Sequence, residues 1–347
     1  MTTPPPDHAL RETSVGVLTV ALTLVGWSVT PLFIKYFAAY IDAWTSNGWR
    51  YGFSALLWSP LLVAGALRGT LPKGLWRAAL VPALVNAAGQ VCFTLAHYHI
   101  GPGLLTFGLR SQMVFVAVGA ALLFPAERLV VRSPAFLTGV VLVMVGTIGT
   151  VAFGALGDSE KAGYALGVTL AICSGAGFAG YALAVRKYMH DIPTMTAFAA
   201  ISLYTSIAMV GLMLPIAEKH GGGALDLSTR QFCVLLLSSV IGIALGHVLY
   251  YISIKRLGVA VSTGVIQLQP VCVAVLSYFT FGEVLNLAQW ATGALAIAGA
   301  MLMLWIQHKL KRAAPRDREY DELPPDHVAA ASLCEEEPQT QPLPADT

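Results

Sequence analysis

Long apolar runs recur along nearly the whole chain, separated by short stretches that hold most of the charges. The runs cover residues 15–38, 44–67, 75–98, 102–124, 133–154, 163–186, 194–216, 231–254, 258–281 and 287–308. Each holds about twenty residues or more, enough to cross a hydrocarbon core of about 30 Å at about 1.5 Å per residue. Lipid offers backbone groups no partner, so such segments pair within themselves and form helices rather than open strands. The first run follows a short polar head, Met1 to Ser14, and is longer than the apolar core of a cleavable signal, so it reads as a retained helix. The pattern predicts an all-α integral membrane protein with ten transmembrane helices.

The chain also matches itself. At an offset of 157, residues Gly89–Val118 align without gaps on Gly246–Val275, with nine of thirty positions identical. Gly89/Gly246, Gly101/Gly258, Thr106/Thr263 and Gln112/Gln269 carry most of the weight, because apolar composition alone produces valine matches. Beyond this segment "FPAERLV" (124–130) sits opposite "TFGEVLN" (280–286), and each half then enters a glycine-spaced last helix. Each half holds five helices, an odd number, so the second must enter the membrane from the opposite side. The expected division is a cytoplasmic segment 1–14, a first repeat 15–154, a second, inverted repeat 163–308, and a disordered cytoplasmic tail 309–347.

Charge placement orients the bundle. With the N-terminus in the cytoplasm, fifteen Lys and Arg fall on that side and four (Lys35, Lys161, Lys219, Arg230) on the other. Arg50 and Arg110 lie within spans. Both termini are then cytoplasmic, and Glu127 and Glu283 fall in loops on opposite sides. The tail begins basic and ends acidic and proline-rich, around Glu335, Glu336 and Glu337, too polar to bury a core.

Composition agrees with a lipid-solvated chain: 56% of residues are hydrophobic and 12% charged, where soluble domains carry about 25% charged residues. A net charge of +2, without a basic aromatic-interleaved patch, gives no footing for nucleic acid. Five cysteines stand singly, with no metal-ligand spacing and no disulfide framework, and no cofactor is expected.

The segment "GWSVTPLFIK" (26–35), Arg50, and residues 246–302, with Pro270 and Gly282-Glu283, resemble the drug/metabolite transporter superfamily, specifically proteins with two EamA domains. The resemblance covers about residues 15–308. It implies a central cavity and secondary transport of metabolites. The first half departs from the pattern: Met113 stands where a proline is usual, and "FPAER" replaces Gly-Glu.

Polar residues deep in a span are costly and each needs a partner or a role. Arg110 lies well inside the fourth run, and no acidic residue occurs between Asp42 and Glu127. One reading makes it a cationic anchor for an anionic or carboxylate-bearing substrate, such as an amino acid or a related compound. The other satisfies it with carbonyls, Gln side chains and water, or lets it snorkel outward. Gln90 and His247, Arg110 and Gln267, and Gln112 and Gln269 occupy matched positions in the two halves. Helical residues two apart do not share a face, so Arg110 and Gln112 are not both expected in one cavity; one lines it and the other braces a neighbouring helix.

His247 either titrates in a proton-coupled cycle or is structural. Trp27, Tyr250 and Tyr251 either wall an apolar part of the site or pack in the bundle. His97 and His99 are expected at the interface, and Arg50 is expected to brace its helix near the outer face with Asp42 or Glu283. Gly175, Gly177 and Gly180 in "GAGFAG" read as close packing.

The function expected is transport of a small-molecule substrate across a cell membrane by alternating access, with a proton or another ion as a candidate coupling partner. A membrane-embedded enzyme or receptor is the alternative. There is no HExxH, no pair of intramembrane aspartates, no GxSxG with a histidine partner and no phosphate-binding GxxxxGK[ST]. No filter loop or charge ring suggests a channel, and the inverted repeat argues for transport over reception.

Overall fold

The computed structural model describes residues 6–124, 128–154 and 161–313. Glu127, residues 155–160 between the two repeats, and the expected tail from residue 314 onward lie outside the described residues. The described chain is all-helical, with no strand. The helices are α1 (Pro6–Phe37), α2 (Ala43–Leu67), α3 (Leu75–Ala96), α4 (Pro102–Gly108), α5 (Gln112–Leu123), α6 (Arg128–Val131) and α7 (Pro134–Ala152). They continue as α8 (Lys161–Tyr188), α9 (Thr194–Ile216), α10 (Thr229–Ser239), α11 (Gly246–Leu257), α12 (Val259–Ile266), α13 (Gln269–Phe281) and α14 (Leu287–Ala313).

Among the described residues, nine spans are long and apolar enough to cross a membrane, taking α4–α5, α10–α11 and α12–α13 each as one. The tenth is α2, whose 25 residues suffice in length. Its first half is polar but faces inward: Thr45, Ser46, Asn47, Arg50 and Ser54 are all buried. Lipid therefore meets its apolar half, Leu56, Leu57 and Leu61 among others.

The packing shows the inverted repeat directly. In repeat order α1 corresponds to α8, α2 to α9, α3 to α10–α11, α4–α5 to α12–α13, and α7 to α14. Two of the most extensive contacts are between mates, α7 with α14 and α2 with α9. Two others exchange under the same operation, α3 with α8 and α1 with α11. A pseudo-two-fold axis in the membrane plane produces this pattern, since only elements near the axis meet their own mates.

Glycine makes the α7–α14 approach possible. A Cβ on Gly146 would overlap the Ala296 backbone nitrogen and lie 2.6 Å from the Thr292 carbonyl oxygen; one on Gly299 would lie 2.7 Å from the Gly139 oxygen. Small residues let helix backbones close to van der Waals contact where the hydrophobic effect gives no drive. Gly177, in the "GAGFAG" segment of α8, meets Gly89 of α3 in the same way.

Three spans are broken where the sequence pattern predicts continuous helices. A single 3-10 turn, Leu109–Ser111, separates α4 from α5. Gln267 and Leu268 separate α12 from α13 at the matched position of the second repeat. Pro270, near the start of α13, lacks the N–H that would continue the ladder. Its counterpart in the first repeat is Met113, so proline is not what breaks that half. A π-helical segment, Val240–Leu245, interrupts the span of α10 and α11.

Elsewhere, side chains satisfy backbone groups left open at helix starts and beside a proline. Asp42 caps α2 by accepting from the N–H groups of Trp44 (3.0 Å) and Thr45 (2.9 Å). The Glu283 carboxylate accepts from the N–H groups of Gly103 (2.9 Å) and Leu104 (3.0 Å) at the start of α4, and from the Ser277 hydroxyl. Glu283 thus ties the second repeat to the first. Pro60, inside α2, leaves the Leu56 carbonyl without its helical donor, and the Ser59 hydroxyl fills that place at 2.8 Å.

Candidate functional site

The three breaks converge on one cavity of about 170 Å³. Its polar wall comes from the α4–α5 break. There Arg110 is 6% exposed, its two terminal nitrogens donating to Gln267 Oε1 and Gln269 Oε1, each at 3.0 Å. Arg110 and Gln267 are repeat mates, so this bond crosses the pseudo-two-fold axis. The Gln269 amide continues the chain, its Nε2 donating to the Trp27 carbonyl at 2.8 Å. That carbonyl is the one Pro31, four residues on in α1, cannot serve for want of an N–H. A proline in one repeat and a glutamine in the other thereby lock α1 to the α12–α13 break.

The cavity is lined by seven of the eight residues expected at a site: Trp27, Gln90, Arg110, Gln112, His247, Tyr250 and Gln269. Gln267, the eighth, does not line the cavity; it is fully buried and accepts from Arg110. Arg110 and Gln112 both reach the cavity, contrary to the face argument. The 3-10 turn between them replaces the helical geometry on which that argument depends.

Aromatic side chains also line the cavity or pack behind its lining. Trp27 packs against His247 and Tyr250 at ring separations of 5.4 and 5.1 Å. Phe198 stacks on the other side of His247 at 4.7 Å. His247 Nδ1 lies 2.9 Å from the Ile243 carbonyl, in the π-helical segment, and the Tyr250 hydroxyl bonds Thr263 at 2.8 Å. A Cβ on Gly246 would overlap the Trp27 indole, so this glycine admits the ring. Tyr251 does not line the cavity; it packs beside Val20 and Ile266.

Several lining residues were not singled out by their positions in the sequence: Tyr51, Asn86, Phe93, Phe178 and Tyr181. Asn86, an amide one helical turn before Gln90 in an apolar run, was the available signal; it donates to Thr205 at 3.2 Å. Arg50 is the largest departure. It lines the cavity at 2% exposure, and its Nε donates to Ser238 Oγ at 3.0 Å. The expected partners are engaged elsewhere, Asp42 at the cap of α2 and Glu283 at the start of α4. His97 is also corrected: it is fully buried rather than interfacial, its Nδ1 lying 2.7 Å from the Phe93 carbonyl. His99 is exposed.

No cluster of His, Cys, Asp or Glu suited to a metal occurs among the described residues. Among the described residues no carboxylate lines the cavity. Two buried guanidinium groups therefore face one cavity, each hydrogen-bonded to neutral oxygens.

Comparison with known proteins adds the following. Residues 14–152 and 165–305 each match the EamA-like transporter family. A search of curated proteins finds no match. A solved structure titled "Crystal structure of protein" superposes with a TM-score of 0.57 at 18% identity, covering 86% of this chain and 99% of that one. At that identity the likeness concerns the fold alone.

Proposed function

Since this chain belongs to the EamA-like transporter family, with both repeats matched, we propose that it is a secondary transporter carrying a small anionic metabolite by alternating access through the central cavity. One observation carries the reading. Arg110 lines the cavity at the first of two matched helix breaks and, among the described residues, is bonded to the neutral amides of Gln267 and Gln269. A buried cation without a counter-ion is a standing cost that an anionic ligand would relieve. Discontinuous helices meeting at the centre of an inverted repeat are the usual place for a transported solute. The charge bias supports a cell-membrane protein with both termini in the cytoplasm. Transport rather than catalysis fits a site with hydrogen-bond donors and aromatic walls but no nucleophile paired with a base.

The test is uptake of carboxylates by the purified protein in liposomes, with ligand affinity and thermal stability measured side by side. Charge-assisted hydrogen bonds contribute about 1.5–3 kcal/mol, so Arg110→Gln should weaken anion binding about tenfold or more. Arg110→Lys should recover only part, since an ammonium cannot form the planar fork. A variant with lowered stability and intact anion affinity would make Arg110 structural.

A further inference from the structure

Resting on that anionic reading, we infer that the cavity selects compact carboxylates that have an apolar ring-sized body and lack an amino group, and so discriminates against free amino acids. Three observations combine. The cavity holds two guanidinium groups, Arg50 and Arg110, and none of the acidic side chains that would answer an ammonium. Among the described side chains the acids sit elsewhere: Asp42 at a helix cap, Glu283 at the start of α4, Asp226 on Lys219 and Glu218 in one exposed loop, and Asp191 beside His190.

The neutral polar lining offers amides, hydroxyls and the His247 imidazole, several already committed: Gln269 to Arg110 and Trp27, Tyr250 to Thr263, Asn86 to Thr205, and His247 Nδ1 to the Ile243 carbonyl. An ammonium entering here would be desolvated beside two like charges with no ion to pair with. Ring faces attract cations, but the guanidinium groups oppose that attraction inside one small space.

Size and shape supply the third observation. A volume of about 170 Å³ is close to that of an engineered apolar cavity of about 150 Å³ that takes benzene. Trp27, Phe93, Phe178, Tyr181 and Tyr250 line the same cavity and suit a flat or branched apolar body. A ligand with its carboxylate on Arg110 and its body among these rings uses both the cation and the aromatic lining.

The experiment is calorimetric titration of the detergent-purified full chain with three matched probes: 3-phenylpropanoate (carboxylate only), phenylalanine (carboxylate and ammonium) and phenethylamine (ammonium only). Acetate and citrate serve as acids without the ring. The expected order is 3-phenylpropanoate at least tenfold tighter than phenylalanine, with phenethylamine showing no binding, and the first affinity lost in Arg110→Gln. Phenylalanine binding as well as 3-phenylpropanoate would overturn the exclusion of ammonium while leaving the anionic reading intact. Arg110-dependent binding of acetate or citrate without binding of 3-phenylpropanoate would overturn the apolar body, again leaving the anionic reading intact. Binding of phenethylamine with none of the acids, or no binding at all, would overturn both.

Discussion

At the scale of single residues, the hydrogen-bond chain from Arg110 through Gln269 to the Trp27 carbonyl joins both repeats. Its amide orientation follows from the partners: Oε1 must face the guanidinium, and Nε2 the carbonyl that Pro31 leaves unserved. Gln269→Ala would orphan a buried carbonyl and one guanidinium nitrogen together. Leaving a buried polar group unsatisfied costs about 1–3 kcal/mol, so this variant should melt measurably lower than the parent. Gln90→Ala, whose side chain also faces the cavity but makes no comparable link between helices, should change the melting temperature little. Equal losses in thermal melts of the two variants would show that the link adds nothing to stability.

At the scale of elements, the glycine seams decide how closely helices pack. Gly146 touches the α14 backbone, so Gly146→Ala must push α7 and α14 apart. Overpacking of this kind costs about 1–3 kcal/mol. Gly211, inside α9, has nothing within 4 Å of a built Cβ. There alanine removes the glycine's helix penalty, and Gly211→Ala should be neutral or stabilising by up to about 1 kcal/mol. Denaturation in detergent separates the two variants, and a harmless Gly146→Ala would contradict the close approach. Apolar run length placed nine spans to within a few residues of the long apolar helices, because lipid solvation acts on each segment alone; α2 meets the length but not the apolarity. The interruptions were not legible in the same way. Pro270 marks one break, but the first-repeat break carries Met113 at that position and is held by tertiary contacts.

At the scale of the whole molecule, an odd number of helices per repeat and a strong charge bias lead to one topology. Reporters fused after Arg77 and after His308 should both read cytoplasmic, and one inserted at Gly223 should read external. A cytoplasmic signal at Gly223 would contradict the ten-span arrangement. The tail beyond Arg312 lies outside both family matches, which end at residue 305. Truncation there should therefore preserve membrane insertion and uptake in liposomes.

The sequence by itself determined the solvent, the number of spans, the inverted repeat and the identity of Arg110 as a cation without a nearby acid. Each follows from chemistry local to a segment, or from comparing segments at a fixed offset. Tertiary structure alone decided that Arg110 bonds its own repeat mate, that Arg110 and Gln112 share one cavity, and that Arg50 lines the cavity instead of bracing an outer surface. It also assigned Asp42 and Glu283 to helix starts and buried His97. The physical reason is that a helix break and a two-fold axis redirect side chains in ways that 3.6-residue periodicity does not encode. Residues 157 apart become hydrogen-bond partners only when two halves fold against each other across that axis.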